Sequence, residues 1–298
     1  MYLPAISVIM PVYNGAMYIQ EAMDSILSQS MPDFELIIVN DGSTDHSSEI
    51  VHSYFDKRIK IIDLPKSTGC FPARNTGLRV VAGKYICMMD ADDVIVPDRF
   101  EKQYRFMEEN PEIGMVSGTY QTFTGNRQNF KETDYEAIKI LFLRHCYLCH
   151  ATSMIRTVLV QKHDLYYNET YTYASDYDWQ VRVLSFAPVA HVNDLVYRYR
   201  VHAQQISTSK RHEQNFFADQ IRVSQLSFFG IEPTEFEKKL HLSFINGIID
   251  HRIDKKMIDQ WIERLIEANR RTQYYSQKKL QNFLQAHRYR YIHQIKQI

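Results

Sequence analysis

Three carboxylates crowd into Asp90-Ala91-Asp92-Asp93, directly after the apolar run Tyr85-Ile86-Cys87-Met88-Met89. Carboxylates this close repel one another unless a positive charge sits among them. Hard oxygen donors of this kind suit a divalent cation. The competing reading is a solvated acidic turn before a helix, with Asp93 or Asp98 as its cap. A second candidate is Asp41, in Asn40-Asp41-Gly42-Ser43-Thr44-Asp45, whose carboxylate can accept from a nucleobase N–H. Arg74 can hold a phosphate bidentately. Asp176 and Asp178 lie in the first turn of a helix, where the dipole favours anions, so capping competes with chemistry for both. Ser43 or Thr44 is expected to cap the helix after it. His202 closes a strand-like run, and a lone histidine is more often structural than a ligand.

These side chains need a frame that brings them together. Ile6–Met10, Phe34–Val39, Ile59–Leu64 and Tyr85–Met89 read as short buried strands. Residues 16–29, 46–55 and 73 onward read as the helices between them. Strand and helix alternate at the spacing of βαβ units and a mostly parallel sheet. Pro11-Val12-Tyr13-Asn14-Gly15 reads as a turn. Each polar cluster then follows the carboxyl end of a strand or opens the next helix, the position of a ligand crevice in an open α/β fold. Further along, a helix is expected over 97–110, a strand at 114–118, a polar hairpin-like segment to 133 and a helix over 135–145. A strand at 150–155, a helix around Trp179 and a strand over 194–202 follow. From about 207 the glycines and β-prone runs thin out. Phe216 to Phe229 suggests one helix closed by Gly230. A second, opened by Thr234, has Phe236, Leu240, Phe244, Ile245 and Ile248 inward, and a third spans 256–268.

The 298 residues have zero formal net charge, so no overall field draws the chain to nucleic acid. Cys70, Cys87, Cys146 and Cys149 form no disulfide framework, and Cys146-x-x-Cys149-His150 lacks the second pair of a zinc site. Met1-Tyr2-Leu3-Pro4 does not resemble a signal peptide, and no run is long and apolar enough to span a bilayer. The expectation is a cytoplasmic protein. The tail from Arg270 to Ile298 has no Asp or Glu and interleaves Arg270, Arg271, Lys278, Lys279, Arg288, Arg290 and Lys296 with aromatics. Such an end can lie on the anionic inner face of a membrane as a peripheral contact, or pack on the domain or a second subunit. A homo-oligomer is compatible with it.

Taken in order, Pro11-Val12-Tyr13-Asn14, Asn40 to Asp45, Gly69 with Ala73-Arg74-Asn75-Thr76-Gly77, Asp90-Ala91-Asp92-Asp93, Ser175-Asp176 and Tyr199-Arg200-Val201-His202 resemble the family 2 glycosyltransferases. The resemblance implies the GT-A fold, a Rossmann-like α/β sheet flanked by helices. It covers about residues 5–207, and implies a glycosyltransferase domain over 1–207, with 1–100 binding the nucleotide and 101–207 the acceptor. Residues 208–298 form a C-terminal helical region outside it. It implies an inverting enzyme that moves a sugar from a nucleotide-diphosphate donor, a UDP-sugar, to a hydroxyl of a saccharide or lipid-linked acceptor in cell-surface polysaccharide synthesis. By the same analogy Pro11, Tyr13, Asn14, Asp41, Arg74, Asp90 and Ala91 bind the nucleotide-sugar. Asp92 and His202 hold Mn2+ or Mg2+, and Asp176 is the catalytic base. The family often has Glu-Asp where this chain has Ser175-Asp176. A non-catalytic sugar-nucleotide-binding protein and a nucleotidyltransferase are the alternatives. The latter would carry a glycine-rich basic loop after the first strand, which Pro11 to Gly15 is not.

Overall fold

The computed structural model describes residues 3–128, 130, 132–202, 205 and 209–295. The 207/208 boundary and Lys296 fall outside them. Two compact units emerge, Met1–Thr133 with Leu148–Arg211, and Asp134–Tyr147 with His212–Ile298. The helix at 135–141 therefore belongs to the second unit, although both its sequence neighbours belong to the first.

The first unit is built on β1 (Ile6–Val12), β2 (Phe34–Asn40), β3 (Ile59–Asp63), β4 (Tyr85–Met88), β5 (Val94–Ile95), β6 (Met115–Thr122), β7 (Met154–Arg156) and β8 (Val189–Tyr199). They form one sheet in the order β3-β2-β1-β4-β7-β6-β8-β5. β1 pairs in parallel with β2 and β4, β2 with β3, and β6 with β8. β7 runs antiparallel to β4 and β6, and β5 antiparallel to β8. β1, β2 and β4 are buried throughout, as strands covered on both faces must be.

The helices are α1 (Ile19–Leu27), α2 (Ser47–His52), α3 (Cys70–Leu78), α4 (Arg99–Glu109), α6 (Thr157–Lys162) and α7 (Ser175–Val183). Ile6, Val8, Met10 and Val12 alternate into a core shared with Ile19, Met23, Ile26 and Phe100, while Ile37 and Val39 of the opposite face pack on Ala73 of α3. That second contact depends on Gly77, where an added Cβ would lie 2.7 Å from Ile9 Cγ2. Pro11 and Val12, expected in the turn, extend β1. β4 pairs only as far as Ile9, so pairing on that side has ended where Pro11 lacks its N–H.

Other boundaries also differ from expectation. His150–Thr152 form a 3₁₀ turn, held by the Thr152 hydroxyl on Cys149 O (2.8 Å), and the strand begins only at Met154. α6 and β5 were not foreseen. Asp98 precedes α4 without a capping hydrogen bond and pairs with Lys102 at 2.8 Å. α2 is opened by Asp45, whose Oδ1 accepts the Ser47 N–H at 2.9 Å, rather than by Ser43 or Thr44. Ser43 instead serves Asn14.

The second unit packs α5 (Tyr135–Leu141), α8 (Arg211–Ser224), α9 (Glu235–Asn246), α10 (Lys255–Thr272) and α11 (Gln277–Ile295) around Leu226, Phe244, Trp261, Leu265, Leu280 and Leu284. Thr234 and Glu237 form a reciprocal capping box on α9. Phe236 and Ile248, expected inward, are exposed; α9 ends at Gly247 in a left-handed cap, which turns Ile248 off the core face, and Phe236 lies in its first turn on the solvent side. Among the described residues no helix is long and apolar enough to cross a membrane. The tail's aromatics mostly face the core: Tyr275 and Tyr291 are buried and Tyr274 stacks on Phe228 at 4.4 Å. Its cations find carboxylates outside the tail, Arg270 on Glu267, Lys279 on Asp134 and Arg288 on Asp259.

Candidate active site

The turn after β1 is built by the loop after β2. Asn14 adopts a left-handed φ of 51°, tolerable for asparagine. Its N–H donates to Ser43 Oγ (3.1 Å) and its side-chain oxygen accepts the Thr44 N–H (2.8 Å). Gly15 N–H donates to Ser47 Oγ (2.8 Å) and Ala16 N–H to Asp45 (3.0 Å). These bonds leave the Tyr13 ring about half exposed at the carboxyl end of the sheet. Ala91 lies against the same turn, 3.9 Å from where a Gly15 Cβ would stand.

Asp41 is buried and fully engaged. Its carboxylate accepts from Ser67 Oγ, Thr68 N, Thr68 Oγ1 and Gly69 N, at 2.8 to 2.9 Å. A carboxylate offers about four lone-pair sites, so these donors saturate it. Gly42, at φ 68°, allows the approach, since a Cβ there would meet the Lys66 backbone at 2.5 Å. Asp41 thus fastens the loop after β3 in this structure.

Arg74 lies in the middle of α3, buried, and one of its guanidinium nitrogens donates to Asp90 Oδ1. Its Nε is buried without a hydrogen-bond partner among the described residues, and the guanidinium faces the rings of Phe71 (5.5 Å) and Tyr167 (6.0 Å). Burial holds Asp90 above the usual carboxylate range, with Arg74 opposing and Asp92 reinforcing. The Asp90 side chain is 33 % exposed and touches the Arg74 guanidinium, both of which favour its charged form. Asp176 lies within electrostatic reach of both Arg74 and Asp90. One of its oxygens accepts the Tyr177 N–H at 2.9 Å, and the other makes no hydrogen bond among the described residues. Burial raises the Asp176 pKa; Arg74 and the helix amides counter it. Asp178, by contrast, is tied to Arg182 at 2.8 Å and serves the helix. Ser175 is fully buried, and its hydroxyl has no hydrogen-bond partner among the described residues.

Asp92 and His202 meet directly, His202 Nε2 lying 2.9 Å from Asp92 Oδ2 with both side chains partly exposed. Asp92 offers a carboxylate oxygen and His202 a ring nitrogen at one partly exposed spot, donors that Mg2+ or Mn2+ would accept. Among the described residues no group of three His, Cys, Asp or Glu side chains could hold a metal. Asp92 and His202 would therefore supply two positions and leave the rest to phosphate oxygens and water, the usual habit of Mg2+. Asp93 is buried, and its Oδ1 accepts the Arg200 N–H at 2.6 Å. Burial first, then Asp90 and Asp92, push its pKa up to about 8.

Several residues around the site carried no sequence signal of their role. Arg200 donates its amide to Asp93, its Nε to Asp92 O (2.8 Å) and a terminal nitrogen to Glu21, and packs between Tyr18 (4.5 Å) and Phe123 (4.0 Å). Tyr197 receives the Asp90 N–H on its hydroxyl at 3.2 Å. Tyr167 stacks on Trp179, and its hydroxyl meets His150 Nε2 at 2.7 Å, which gives the histidine of the Cys-x-x-Cys-His run a packing partner. The Tyr-Arg-Val-His run was visible as a motif, but nothing in it separated Arg200 from its neighbours.

Comparison with known proteins identifies the family. The Glycosyl transferase family 2 profile matches residues 7–184. An uncharacterized glycosyltransferase of Haemophilus influenzae is 32 % identical over 242 residues, 76 % of this chain and 74 % of that protein. The uncharacterized glycosyltransferase EpsJ of Bacillus subtilis is 30 % identical over 216 residues, 66 % of this chain and 61 % of its own. The fold is shared with S. aureus TarS 1–349 solved with UDP-GlcNAc (TM-score 0.66, 21 % identity, covering 96 % of this chain and 88 % of that one). It is also shared with the mannosyltransferase PcManGT of Pyrobaculum calidifontis, solved with GDP-Man and Mn2+ (TM-score 0.59, 17 % identity, 98 % and 87 %). With its GT-A architecture and a family match spanning more than half its length, this chain belongs to glycosyl transferase family 2.

Proposed function

We propose that this chain is an inverting, metal-dependent glycosyltransferase that moves a sugar from a UDP-sugar to a hydroxyl of a saccharide or lipid-linked acceptor in cell-surface polysaccharide synthesis. The observation that carries this reading is the gathering of Arg74, Asp90 and Asp176 at the sheet edge where Asp92 and His202 meet. TarS, solved with UDP-GlcNAc, supports the donor; PcManGT, solved with Mn2+, supports the metal; and the putative teichuronic acid biosynthesis glycosyltransferase TuaG of Bacillus subtilis supports the setting.

Asp176 takes the proton from the acceptor hydroxyl as that oxygen attacks the anomeric carbon. The bond from the anomeric carbon to the diphosphate oxygen breaks in the same step, and its electron pair leaves with UDP. One displacement inverts the configuration. Arg74 stabilises the charge developing on the leaving group, in a site where Phe71 and Tyr167 limit water. A divalent ion bound at Asp92 and His202 would add positive charge to the same diphosphate. Asp41 and its loop, with Tyr13 and Asn14, bound the nucleoside side of the crevice.

A thermal-shift comparison of UDP-, GDP- and dTDP-sugars with Mn2+ should give its largest shift with a UDP-sugar. The wild type should release UDP from that donor slowly. Asp176→Asn should lose UDP release by about 10²- to 10⁴-fold while keeping its thermal shift. UDP release at the wild-type rate in the variant would overturn Asp176 as the base.

A further inference from the structure

Arg74 and Asp176 stand on different helices, α3 and α7, and the proposed transfer needs them in a fixed relation. The segment Leu165-Tyr166-Tyr167, in the loop before α7, is bonded to both helices. On the α3 side the buried Asn75, next to Arg74, grips the Tyr167 backbone twice. Its Nδ2 donates to Tyr167 O at 3.0 Å and its Oδ1 accepts the Tyr167 N–H at 2.8 Å. On the α7 side Trp179 Nε1 donates to Leu165 O at 2.7 Å, and Arg182 donates to Tyr166 O at 2.6 Å. Trp179 follows Asp176 by three residues, so the two share one face of α7.

The Tyr167 side chain completes the bridge. Its ring contacts Phe71 of α3 and Trp179 of α7, each at 5.4 Å between centroids, and the Arg74 guanidinium lies 6.0 Å from its centroid. Its hydroxyl meets His150 Nε2 at 2.7 Å, and His150 stands edge-on to both Tyr167 and Trp179. Burial, then Arg74, holds His150 well below its usual range, so it meets the tyrosine as a neutral ring. Tyr167 is therefore buried with its amide, its carbonyl and its hydroxyl all engaged, which leaves the ring little freedom to move.

We propose that Tyr167 is a positioning residue which, held by Asn75 and His150, sets the place of Asp176 on α7 relative to Arg74 on α3. This role rests on Asp176 as the base. α3 is seated on the sheet through Ala73 and Gly77, so loosening the bridge displaces α7 rather than Arg74. Donor binding then survives while the proton transfer suffers, because a misplacement of about 1 Å can cost about 10²-fold in rate.

Steady-state UDP release from the UDP-sugar donor tests this in Asn75→Asp and Tyr167→Phe, each alone and combined with Asp176→Asn. Asn75→Asp keeps the acceptor for the Tyr167 N–H but turns a carboxylate oxygen toward Tyr167 O. Tyr167→Phe keeps the ring and removes only the hydroxyl, so it reports even where Asn75→Asp fails to fold. The kcat should fall about tenfold or more in Asn75→Asp and about threefold in Tyr167→Phe, with the donor KM within about twofold of wild type. In the Asp176→Asn background neither substitution should lower kcat further. A wild-type kcat in both folded variants, or losses of the same size with and without Asp176, overturns the bridge alone. Wild-type UDP release in Asp176→Asn overturns the base assignment and the bridge with it.

Discussion

Arg200 ties together parts of the chain that sequence distance keeps apart. It reaches Glu21 across 179 residues while holding both the Asp92 carbonyl and the Asp93 carboxylate. Arg200→Ala should weaken metal-dependent UDP binding by about tenfold or more, through loss of hydrogen bonds to charged groups, with metal-free UDP affinity little changed. Calorimetry with and without Mn2+ checks this, and equal losses in both conditions would show a general structural role instead. Asp41 presents the reverse case. Its motif was plain in the sequence, yet its four donors come from Ser67 to Gly69, and only the fold brings that loop to it. Asp90 and Asp92 drew notice because they stand where an apolar run stops, whereas the roles proposed for Asp176 and His202 came from the family resemblance. Arg200, Tyr197 and Tyr167 drew none, because their roles lie in contacts across the sheet.

At the scale of elements, alternating apolar runs made β1 to β4 and the helices between them readable. The same rule failed at α6, where Val158 and Val160 alternate as in a strand but sit on a short helix with Val158 exposed. It held at α5, which is helical as its pattern predicts, but did not reveal that its apolar face joins Leu226 and Phe229 of the second unit. Periodicity identifies a face and leaves its partner open. The packing of α3 on the sheet gives a sharp check. Gly77→Ala drives a methyl into Ile9 and Val39, both buried, and overpacking of this kind costs about 1–3 kcal/mol. Chemical denaturation should show that loss, and an unchanged midpoint would mean that α3 shifts freely on the sheet. Because Arg74 rides on α3, donor binding should weaken in the same variant.

For the whole molecule, composition excluded a nucleic-acid partner field and left the helical third of the chain without an assignment. Its histidines bear on acid stability. His241 is buried, accepts from Trp261 Nε1 on its Nδ1 at 3.3 Å, and is pushed down by burial to about 4. His191 and His287 are likewise held near 4. Unfolded histidine titrates near about 6.5, so the unfolded chain binds more protons between these values. The stability from keeping these rings neutral is present above pH 6.5 and is lost as pH falls toward 4, on the order of 3 kcal/mol per ring. Melting temperature should therefore fall steeply from pH 6.5 to 4.5, and His241→Gln should flatten that slope; a flat profile in the wild type would contradict it. The claim at the centre of the account is that Asp92 and His202 link a divalent ion to a bound nucleoside diphosphate. Calorimetric titration of UDP into wild type and Asp92→Ala, each with and without Mn2+, tests it directly. Mn2+ should tighten UDP binding about tenfold or more in the wild type, about 1.4 kcal/mol, and have no effect in Asp92→Ala. The same Mn2+ enhancement in both proteins would contradict the account.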